Sequence, residues 1–199
     1  MRRILLMSVS VLTMSLGTAI AGPVAPVGPE DQVLGDAKAP VTVIEYASLT
    51  CPHCGRWEKD VFPKVRSEWV ETGKVRFVFR DFPLDGLALK AAQLAHCTGD
   101  QRFWGFLEVE FGNQLMWVGK PDAENALVKL VKLGGISEDK ARACMADDKL
   151  AETITGSRLG GEDAGVNSTP TFFINGKSYV GEIPYDEFVK DLKDAGAGS

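Results

Sequence analysis

Val41-Thr42-Val43-Ile44-Glu45-Tyr46 and, after four further residues, Cys51-Pro52-His53-Cys54 form the most informative part of the chain. In the first run, β-branched or apolar residues occupy both faces of an extended chain, which is typical of a strand buried on both faces. A helical pattern begins at Pro52, whose missing N–H would have no partner in a first turn. The sequence therefore predicts a central strand followed by a helix that starts at the cysteine pair.

Two thiols at the start of a helix are placed for disulfide exchange. A helix N-terminus carries unpaired N–H donors and about half a positive charge, and both favour a thiolate. The thiolate is the species that attacks a disulfide and departs from one. Cys51, with an exposed sulfur at the helix tip, is therefore predicted as the nucleophile of a thiol–disulfide oxidoreductase, and Cys54 as the more buried resolving thiol. Because the cysteines carry both electrons, no further cofactor is expected.

His53 is the third catalytic candidate because it lies between the two cysteines. A positive charge or a hydrogen bond from its ring would favour the Cys51 thiolate. An inert, exposed imidazole is the alternative. For the cysteine pair itself, the alternatives are a plain stabilising bridge or half of a zinc site. Zinc would require a second pair of ligands, and His96 beside Cys97 adds only one donor, so no metal is expected.

The N-terminus indicates export. Arg2-Arg3 precede an uncharged, largely apolar stretch that ends in the small-x-small sequence Ala19-Ile20-Ala21. This pattern predicts a signal peptide over residues 1–21, cleaved after general secretion, and a mature protein in the periplasm. A retained N-terminal anchor is the alternative, which the serines and threonine of the apolar stretch disfavour.

Charge and length narrow the choice of partners. The chain carries 22 Lys and Arg against 27 Asp and Glu, for a formal charge of −5. Loss of the two N-terminal arginines changes this charge to −7. An acidic surface without a basic block argues against nucleic acid as a partner. The length suits one domain with an insertion, and a monomer is expected.

Four cysteines in an exported protein indicate two disulfide pairs, for which the sequence alone permits three connectivities. Cys51 and Cys54 are close enough to pair, which leaves Cys97 with Cys144. On the chain-entropy model a bridge across that longer loop stabilises by about 4 kcal/mol. One pair is therefore interpreted as reactive and the other as structural.

The pattern of elements predicts a mixed sheet with a helical insertion. A strand over residues 74–80 follows the helix stop Thr72-Gly73 and completes a βαβ unit. Pro63 lies inside the helical pattern and is expected to kink the helix, or to end one helix and start another. A short edge strand is predicted over residues 32–34.

The rest of the chain divides into a helical block and a C-terminal hairpin. Asp122 and Ser137 are predicted N-caps, and Asn175-Gly176 between two apolar runs is a strong hairpin signal. The predicted helices cover residues 87–97, 101–111, 122–133, 137–145, 149–164 and 185–192, and the hairpin strands residues 171–174 and 177–180.

Two motifs carry a family resemblance: Cys51-Pro52-His53-Cys54 and, more than a hundred residues later, Val166-Asn167-Ser168-Thr169-Pro170-Thr171-Phe172-Phe173-Ile174-Asn175-Gly176. In this order they resemble the thioredoxin superfamily, and specifically the DsbA-like thiol oxidases. The resemblance implies an α/β fold with a thioredoxin-like mixed sheet over residues 32–83 and 166–199. It further implies an inserted all-helical domain over residues 84–165. Residues 22–31, which are rich in Pro and Gly, are predicted from their composition as a flexible arm before the thioredoxin-like domain.

The resemblance also implies roles for residues around the cysteines. Pro170 resembles the family's cis-proline, so that Thr169, Pro170 and Pro52 would contact the substrate peptide; an ordinary trans-proline is the alternative. Apart from the resemblance, Glu45 lies six residues before Cys51 in an otherwise apolar strand and could relay protons to Cys54, with Lys74 as its counter-charge. A structural acid at a strand end is the alternative for Glu45.

The sequence thus predicts an exported oxidase that donates its disulfide to reduced or unfolded exported proteins through a mixed disulfide. The resemblance implies reoxidation by a DsbB-like membrane quinone reductase. A reductase or isomerase would use the same chemistry. A periplasmic chaperone, or a metal-binding module using Cys51 and Cys54, is the alternative from a different class.

Overall fold

The computed structural model of the protein describes residues 22–198, so that the predicted signal peptide lies outside the described residues. The strands are β1 Gln32–Leu34, β2 Val41–Ala47, β3 Val75–Asp81, β4 Thr171–Ile174 and β5 Lys177–Val180. They form one mixed sheet in the order β1-β3-β2-β4-β5. β2 runs parallel to β3, whereas β1–β3, β2–β4 and β4–β5 are antiparallel pairs. The mixed sheet predicted from the sequence is confirmed.

β2 lies in the middle of the sheet, as its apolar run predicts. All of its residues are buried except the half-buried Thr42. Hydrogen bonds to a strand on each side and side chains on both faces remove β2 from solvent, which is the environment that β-branched residues suit. Its carboxyl end at Ala47 leads directly into the loop that carries Cys51.

Nine helices are described within residues 22–198. They are α1 Pro52–Asp60, α2 Phe62–Val65, α3 Gly86–His96, α4 Asp100–Gly112, α5 Gln114–Trp117, α6 Ala123–Leu133, α7 Glu138–Met145, α8 Asp148–Asp163 and α9 Tyr185–Asp194, with a π-helical turn at Arg66–Val70. The break predicted at Pro63 is confirmed, since Pro63 lies in the first turn of α2, where its missing N–H leaves no donor unpaired. No helix in this part of the chain is long and apolar enough to cross a bilayer.

The helical block differs from the sequence-based expectation in two details. The four-residue helix α5 was not predicted, because a single turn is too short to show an amphipathic period. Asp122 precedes α6 but accepts a hydrogen bond from the Asn125 side chain (2.6 Å) and caps no backbone N–H. Ser137 does cap α7, accepting from the N–H of Lys140 at 3.3 Å.

A disulfide joins Cys97, which directly follows α3, to Cys144 in α7, with 6.0 Å between their Cα atoms. This pairing is the one that the sequence favours. It fixes two helices of the block around a core of buried apolar side chains that includes Leu94, Phe103 and Trp117.

Arg80 of β3 fixes residues 22–31, the segment predicted as a flexible arm. Its guanidinium donates to both carboxylate oxygens of Asp31 (2.7 and 2.8 Å) and to the carbonyl oxygens of Ala25 and Pro26 (3.0 Å each). A further hydrogen bond reaches the Tyr46 hydroxyl at 3.0 Å. Arg80 therefore binds this segment to β3 and, through the Tyr46 hydroxyl, links it to β2.

Candidate active site

Cys51 stands where the chain passes from the loop after β2 into α1. It occupies the N-cap position of α1 with an extended backbone (φ −74°, ψ 119°). Its sulfur lies 3.3 Å from the carbonyl oxygen of Thr169, to which Cys51 donates while it is protonated. Only 4% of Cys51 is exposed, less than the sequence predicts, because the segment before Pro170 packs over it. Cys51 and Cys54 are both free thiols in this structure.

The surroundings of Cys51 lower the pKa of its thiol from the ordinary 9.0 to about 5. The largest cause is the hydrogen bond from the Cys54 thiol, which outweighs the opposing effect of burial. The hydroxyl of Thr169 and the backbone N–H groups of Cys54 and His53 stabilise the thiolate further. The Thr169 hydroxyl oxygen is buried and forms no hydrogen bond while Cys51 is a thiol, so this hydroxyl is available to the thiolate. Reduced Cys51 is therefore largely ionised at neutral pH.

Cys54 has the opposite environment. It lies one turn into α1 with no exposed surface, and desolvation raises the pKa of its thiol well above 9.0, assisted by its hydrogen bond to Cys51. The negative charges of Cys51 and Glu45 act in the same direction. One cysteine of the pair is thus held as a thiolate and the other as a thiol.

The imidazole of His53 binds Glu182 and Arg56, two residues that the sequence did not single out. Its Nδ1 lies 3.1 Å from Glu182 Oε2 and 2.7 Å from Arg56 Nη2. Among the described hydrogen bonds the ring has none to Cys51, so the predicted ring–thiolate bond is not formed. The group of His53 that stabilises the thiolate is its backbone N–H.

Glu182 holds Arg56 by a bidentate ion pair between α1 and the segment that follows β5. Arg56 Nε lies 3.1 Å from Glu182 Oε1, and Arg56 Nη2 lies 2.7 Å from Glu182 Oε2. The ion pair lowers the pKa of Glu182. Sequence patterns could not reveal this cluster, since more than a hundred residues separate its two sides.

Glu45 of β2 and Glu58 of α1 share a buried position beneath the cysteines. Desolvation raises the pKa of both carboxyl groups, to about 7 for Glu58, and the proximity of Glu58 raises that of Glu45 further. Both oxygens of Glu45 and Oε1 of Glu58 are buried without a hydrogen-bond partner. These effects favour the protonated form of Glu45 over its carboxylate. Sequence analysis missed Glu58, although its place four residues after Cys54, on the same helix face, is a usable signal.

Lys74 does not accompany Glu45, and the predicted counter-charge is wrong. In the β2–β3 pairing Glu45 is opposite Phe79, five residues from Lys74 or about 16 Å along the strand. The Lys74 ammonium instead lies over the Trp69 ring, 5.2 Å from its centroid. The register of two parallel strands decides this separation, and the sequence alone did not supply that register.

The loop before β4 faces the cysteine pair. The Thr169–Pro170 peptide bond is cis, as the family resemblance implied, and the Pro170 carbonyl accepts a hydrogen bond from Gly181 N at 2.8 Å. Thr169 contacts Cys51 as described above. Pro52, the third residue predicted to contact substrate, is exposed in the first turn of α1.

Gln114 of α5 is a further residue that sequence analysis missed. Its side-chain amide donates to the carbonyl oxygens of Leu49 (2.7 Å) and Cys51 (3.0 Å). Gly55 makes this approach possible, because a Cβ at that position would lie 2.2 Å from Gln114 Oε1. The helical insertion is thereby bonded to the loop that carries the reactive cysteine.

His96 pairs with Asp81, with 2.6 Å between Nε2 and Oδ2. Within residues 22–198 no group of three or more His, Cys, Asp or Glu side chains is placed to hold a metal ion.

A Cys-x-x-Cys pair at a helix N-terminus, facing a cis-proline loop at the ends of the inner strands β2 and β4, defines a thioredoxin-fold redox protein. The model of the Thioredoxin family matches residues 28–194 of the chain. The crystal structure of α-DsbA1 from Wolbachia pipientis is 32% identical, with a TM-score of 0.79 over 85% of this chain and 92% of that one. The chain belongs to the DsbA-like members of the thioredoxin family.

Further relatives have related names. A Rickettsia typhi protein, provisionally named a protein-disulfide oxidoreductase, is 36% identical over 148 residues, which are 73% of this chain and 55% of that protein. The chain thus spans about half the length of this relative. Disulfide bond formation protein D of Bacillus subtilis is 28% identical and is matched over 81% of this chain and 75% of its own length.

Proposed function

We propose that the protein is an exported thiol:disulfide oxidoreductase that donates a Cys51–Cys54 disulfide to other exported proteins. The observation that carries the proposal is the contrast within the pair: the pKa of Cys51 is lowered to about 5 while that of Cys54 is raised. A stable Cys51 thiolate favours the reduced form of the pair, so the disulfide form is a good electron acceptor.

The reaction begins with the oxidised pair. A substrate thiolate attacks the sulfur of Cys51, the bond between Cys51 and Cys54 breaks, and Cys54 leaves with the electron pair. A second substrate thiolate then attacks the substrate sulfur of the mixed disulfide and releases Cys51 as a thiolate. The substrate gains one disulfide and loses two electrons and two protons, and the cysteine pair gains two electrons.

Glu45 supplies the acid that the first step needs. Cys54 is a poor leaving group as a thiolate, because burial and the negative charges nearby raise its pKa. Burial and the neighbouring Glu58 raise the pKa of Glu45 and favour its protonated form, and Glu45 lies close enough to Cys54 for its charge to affect that thiol. Glu45 can protonate the departing Cys54 sulfur. When the pair is reoxidised, the Cys54 thiol can return its proton to Glu45, next to Glu58.

Thr169 would hold the incoming chain. Its carbonyl lies 3.3 Å from the Cys51 sulfur, so a substrate bonded to that sulfur must pass directly over this backbone. Pairing of the substrate main chain with Thr169, flanked by Pro170 and the exposed Pro52, is the mode we propose for binding. Reduced or unfolded exported proteins are the substrates, because a main-chain contact is independent of sequence.

The compartment and the reoxidising partner complete the proposal. The basic and apolar N-terminal sequence supports cleavable export to the periplasm. A DsbB-like membrane quinone reductase would reoxidise the pair, and the protein would act as a monomer without a soluble cofactor.

The decisive measurement is the equilibrium of the Cys51–Cys54 pair with glutathione. An oxidase requires the Cys51–Cys54 pair to have a reduction potential well above that of a thioredoxin-like reductant, near the most oxidising values of the thioredoxin family. The oxidised protein should also introduce disulfides into reduced, unfolded ribonuclease, and C51S should lose this turnover. A pair as reducing as a cytosolic thioredoxin would contradict the oxidase assignment and favour a reductase.

A further inference from the structure

A chain of hydrogen bonds runs through the loop that joins β2 to Cys51. The backbone N–H of Leu84 donates to Oγ of the buried Ser48 at 3.3 Å. The hydroxyl oxygens of Ser48 and Thr50 lie 3.3 Å apart, and the Thr50 hydroxyl donates to Asp85 Oδ2 at 2.8 Å. Because Thr50 gives its hydrogen to Asp85, Ser48 is the donor to Thr50. Hydrogen bonds that all point the same way, toward a charged acceptor, strengthen one another.

Asp85, at the end of this chain of hydrogen bonds, belongs to the helical insertion and is itself fixed. It is the N-cap of α3, and its Oδ1 accepts from the N–H of Ala88 at 2.8 Å while Oδ2 accepts from Thr50. The side chain thus joins the first turn of α3 to the residue before Cys51. Gln114 of α5 binds carbonyl groups of the same loop, so two helices of the insertion hold the reactive loop.

The peptide unit between Ala47 and Ser48 is oriented by hydrogen bonds on both sides. Its own carbonyl oxygen, that of Ala47, accepts from Phe82 N at 2.8 Å, and the next carbonyl, that of Ser48, accepts from Cys51 N at 3.0 Å. In a trans peptide the N–H points away from the carbonyl of the same unit, so the Ser48 N–H points away from Phe82. The sulfur that it meets is that of Cys54. Burial raises the pKa of Cys54, and the hydrogen bond from Ser48 opposes this rise.

We infer that the backbone N–H of Ser48 stabilises the negative charge that develops on the Cys54 sulfur when a substrate thiolate attacks Cys51. Thr50 and Asp85 are the positioning residues that hold this donor in place. The inference rests on the proposed function and deepens it, because it names the group that meets the departing sulfur.

The electrons move as in any thiol–disulfide exchange. The substrate thiolate forms a new bond to Cys51, and the electron pair of the broken bond goes to Cys54. The Ser48 N–H donates to the resulting thiolate without giving up its proton, and Glu45 then protonates the sulfur. A donor already aimed at the place where charge appears needs no rearrangement in the transition state. Its effect is strengthened here because Cys54 has no exposed surface.

The Ser48 donor serves one of the two leaving groups of the reaction. In the first step Cys54 departs, whereas in the second step Cys51 departs. The thiolate of Cys51 is stabilised by the Cys54 thiol, the Thr169 hydroxyl and N–H groups of α1, whereas the Ser48 N–H acts on Cys54. Loosening Ser48 should therefore slow the first step and leave the second unchanged. A loop that only supported the fold around Cys51 would affect both steps alike.

The test measures the two steps separately in T50V, in which a methyl group replaces the hydroxyl and both of its hydrogen bonds are lost. The first rate constant describes the reduction of the oxidised protein by dithiothreitol, whose fast ring closure makes the attack that expels Cys54 rate-limiting. The second describes the removal of glutathione from Cys51 by dithiothreitol in the C54S background, where Cys51 departs. Both reactions are quenched with acid and followed by mass spectrometry.

D85N is a second variant, because asparagine caps a helix as well as aspartate does but lacks the charged acceptor for Thr50. Two matched controls lie on α8. D147N changes an N-cap carboxylate that accepts from Leu150 N at 3.0 Å and does not bind the reactive loop. T155V removes a hydroxyl from the exposed face of the same helix.

We expect T50V to slow the first reaction by about five- to tenfold and D85N by about threefold, the effect of weakening one hydrogen bond to a charged sulfur in the transition state. The second reaction should keep its rate constant within about twofold in both variants. Both rate constants should keep their wild-type values in D147N and T155V. Urea unfolding of the oxidised proteins checks that each variant is folded.

Two results would overturn the inference. One is an unchanged first rate constant in T50V and D85N. The other is an equal loss in both steps, which would make the chain of hydrogen bonds a purely structural support. The proposed function is overturned by a different result, a wild-type pair as reducing as a thioredoxin in equilibrium with glutathione. In that case, a loss confined to the step in which Cys54 departs would still support the role of Ser48.

Discussion

Glu182 Oε2 lies 3.1 Å from Nδ1 of His53, although 129 residues separate the two in sequence. The same carboxylate forms the ion pair with Arg56. A negative charge therefore stands beside the N-terminus of α1, where it offsets a cation that would otherwise favour the Cys51 thiolate. The side chain of His53 therefore binds a distant loop, while its backbone N–H stabilises the Cys51 thiolate.

Replacing Glu182 with Gln should make the Cys51–Cys54 pair a stronger oxidant. E182Q removes a negative charge near the thiolate and leaves Arg56 without its counter-charge. Because the Glu182 side chain is 32% exposed, solvent reduces the effect, and we expect a two- to fivefold shift toward the reduced form in equilibrium with glutathione, about 0.4–1 kcal/mol. E187Q, an exposed glutamate on α9, is the control and should leave the equilibrium unchanged. A shift toward the disulfide form in E182Q would contradict the argument.

Replacing Glu45 with Gln should slow mixed-disulfide formation by at least about tenfold, because the departing Cys54 loses its proton donor. The pH dependence of stability should change as well. A buried acid with a raised pKa destabilises the folded protein increasingly as pH rises above its unfolded pKa of about 4.3. The wild-type free energy of unfolding, relative to that of E45Q, should therefore fall with rising pH.

Glu110 of α4 provides the matched control for Glu45. It is equally buried, with both carboxyl oxygens unpartnered, and burial raises its pKa as well. E110Q should show the same change in the pH dependence of stability but no change in the rate of disulfide exchange. Equal rate losses in E45Q and E110Q would show that Glu45 is a structural acid.

Replacing Gly55 with Ala should break the link between α5 and the Cys51 loop. The new Cβ would lie 2.2 Å from Gln114 Oε1 and 2.6 Å from its Cδ. Since the end of a Gln side chain can move, the expected loss is that of its two hydrogen bonds, about 1–3 kcal/mol in urea unfolding. G105A, at a helical glycine whose added Cβ meets nothing within 4 Å, should stabilise by up to about 1 kcal/mol.

A double variant checks the cause of that loss. In the Q114A background the alanine at position 55 meets no amide, so Gly55→Ala should cost little or become favourable. A loss of stability that persists in the Q114A background would show that the Cβ added at position 55 clashes with a residue other than Gln114.

The reduced protein should lose stability in acid through Cys51. Its folded pKa of about 5 lies below the unfolded value of about 8.5, so the thiolate stabilises the fold fully above pH 8.5. This contribution is lost as pH falls toward 5, by about 1.4 kcal/mol per pH unit within that range. The measurement compares urea unfolding of reduced wild type and C51S, each with the Cys97–Cys144 bond intact. A difference that does not vary with pH would show an ordinary thiol at position 51.

Local patterns in the sequence determined the secondary-structure elements and the position of the reactive cysteine pair. The buried character of β2, the break at Pro63, the hairpin at Asn175-Gly176 and the helix start at Cys51 all depend on neighbours within a few residues. Such features follow from backbone restrictions and hydrophobic periodicity, which a single chain segment already contains. The nucleophile was accessible to sequence analysis for the same reason, because a helix N-terminus is a local property.

Only the tertiary structure decided which side chains surround that nucleophile. The register of β2 and β3 separated Lys74 from Glu45, the packing of α1 on the sheet brought Glu58 to Glu45, and the loop after β5 brought Glu182 to His53. Electrostatic interactions depend on distance through space and on burial. Both quantities arise from contacts between residues far apart in sequence, and no local pattern encodes them.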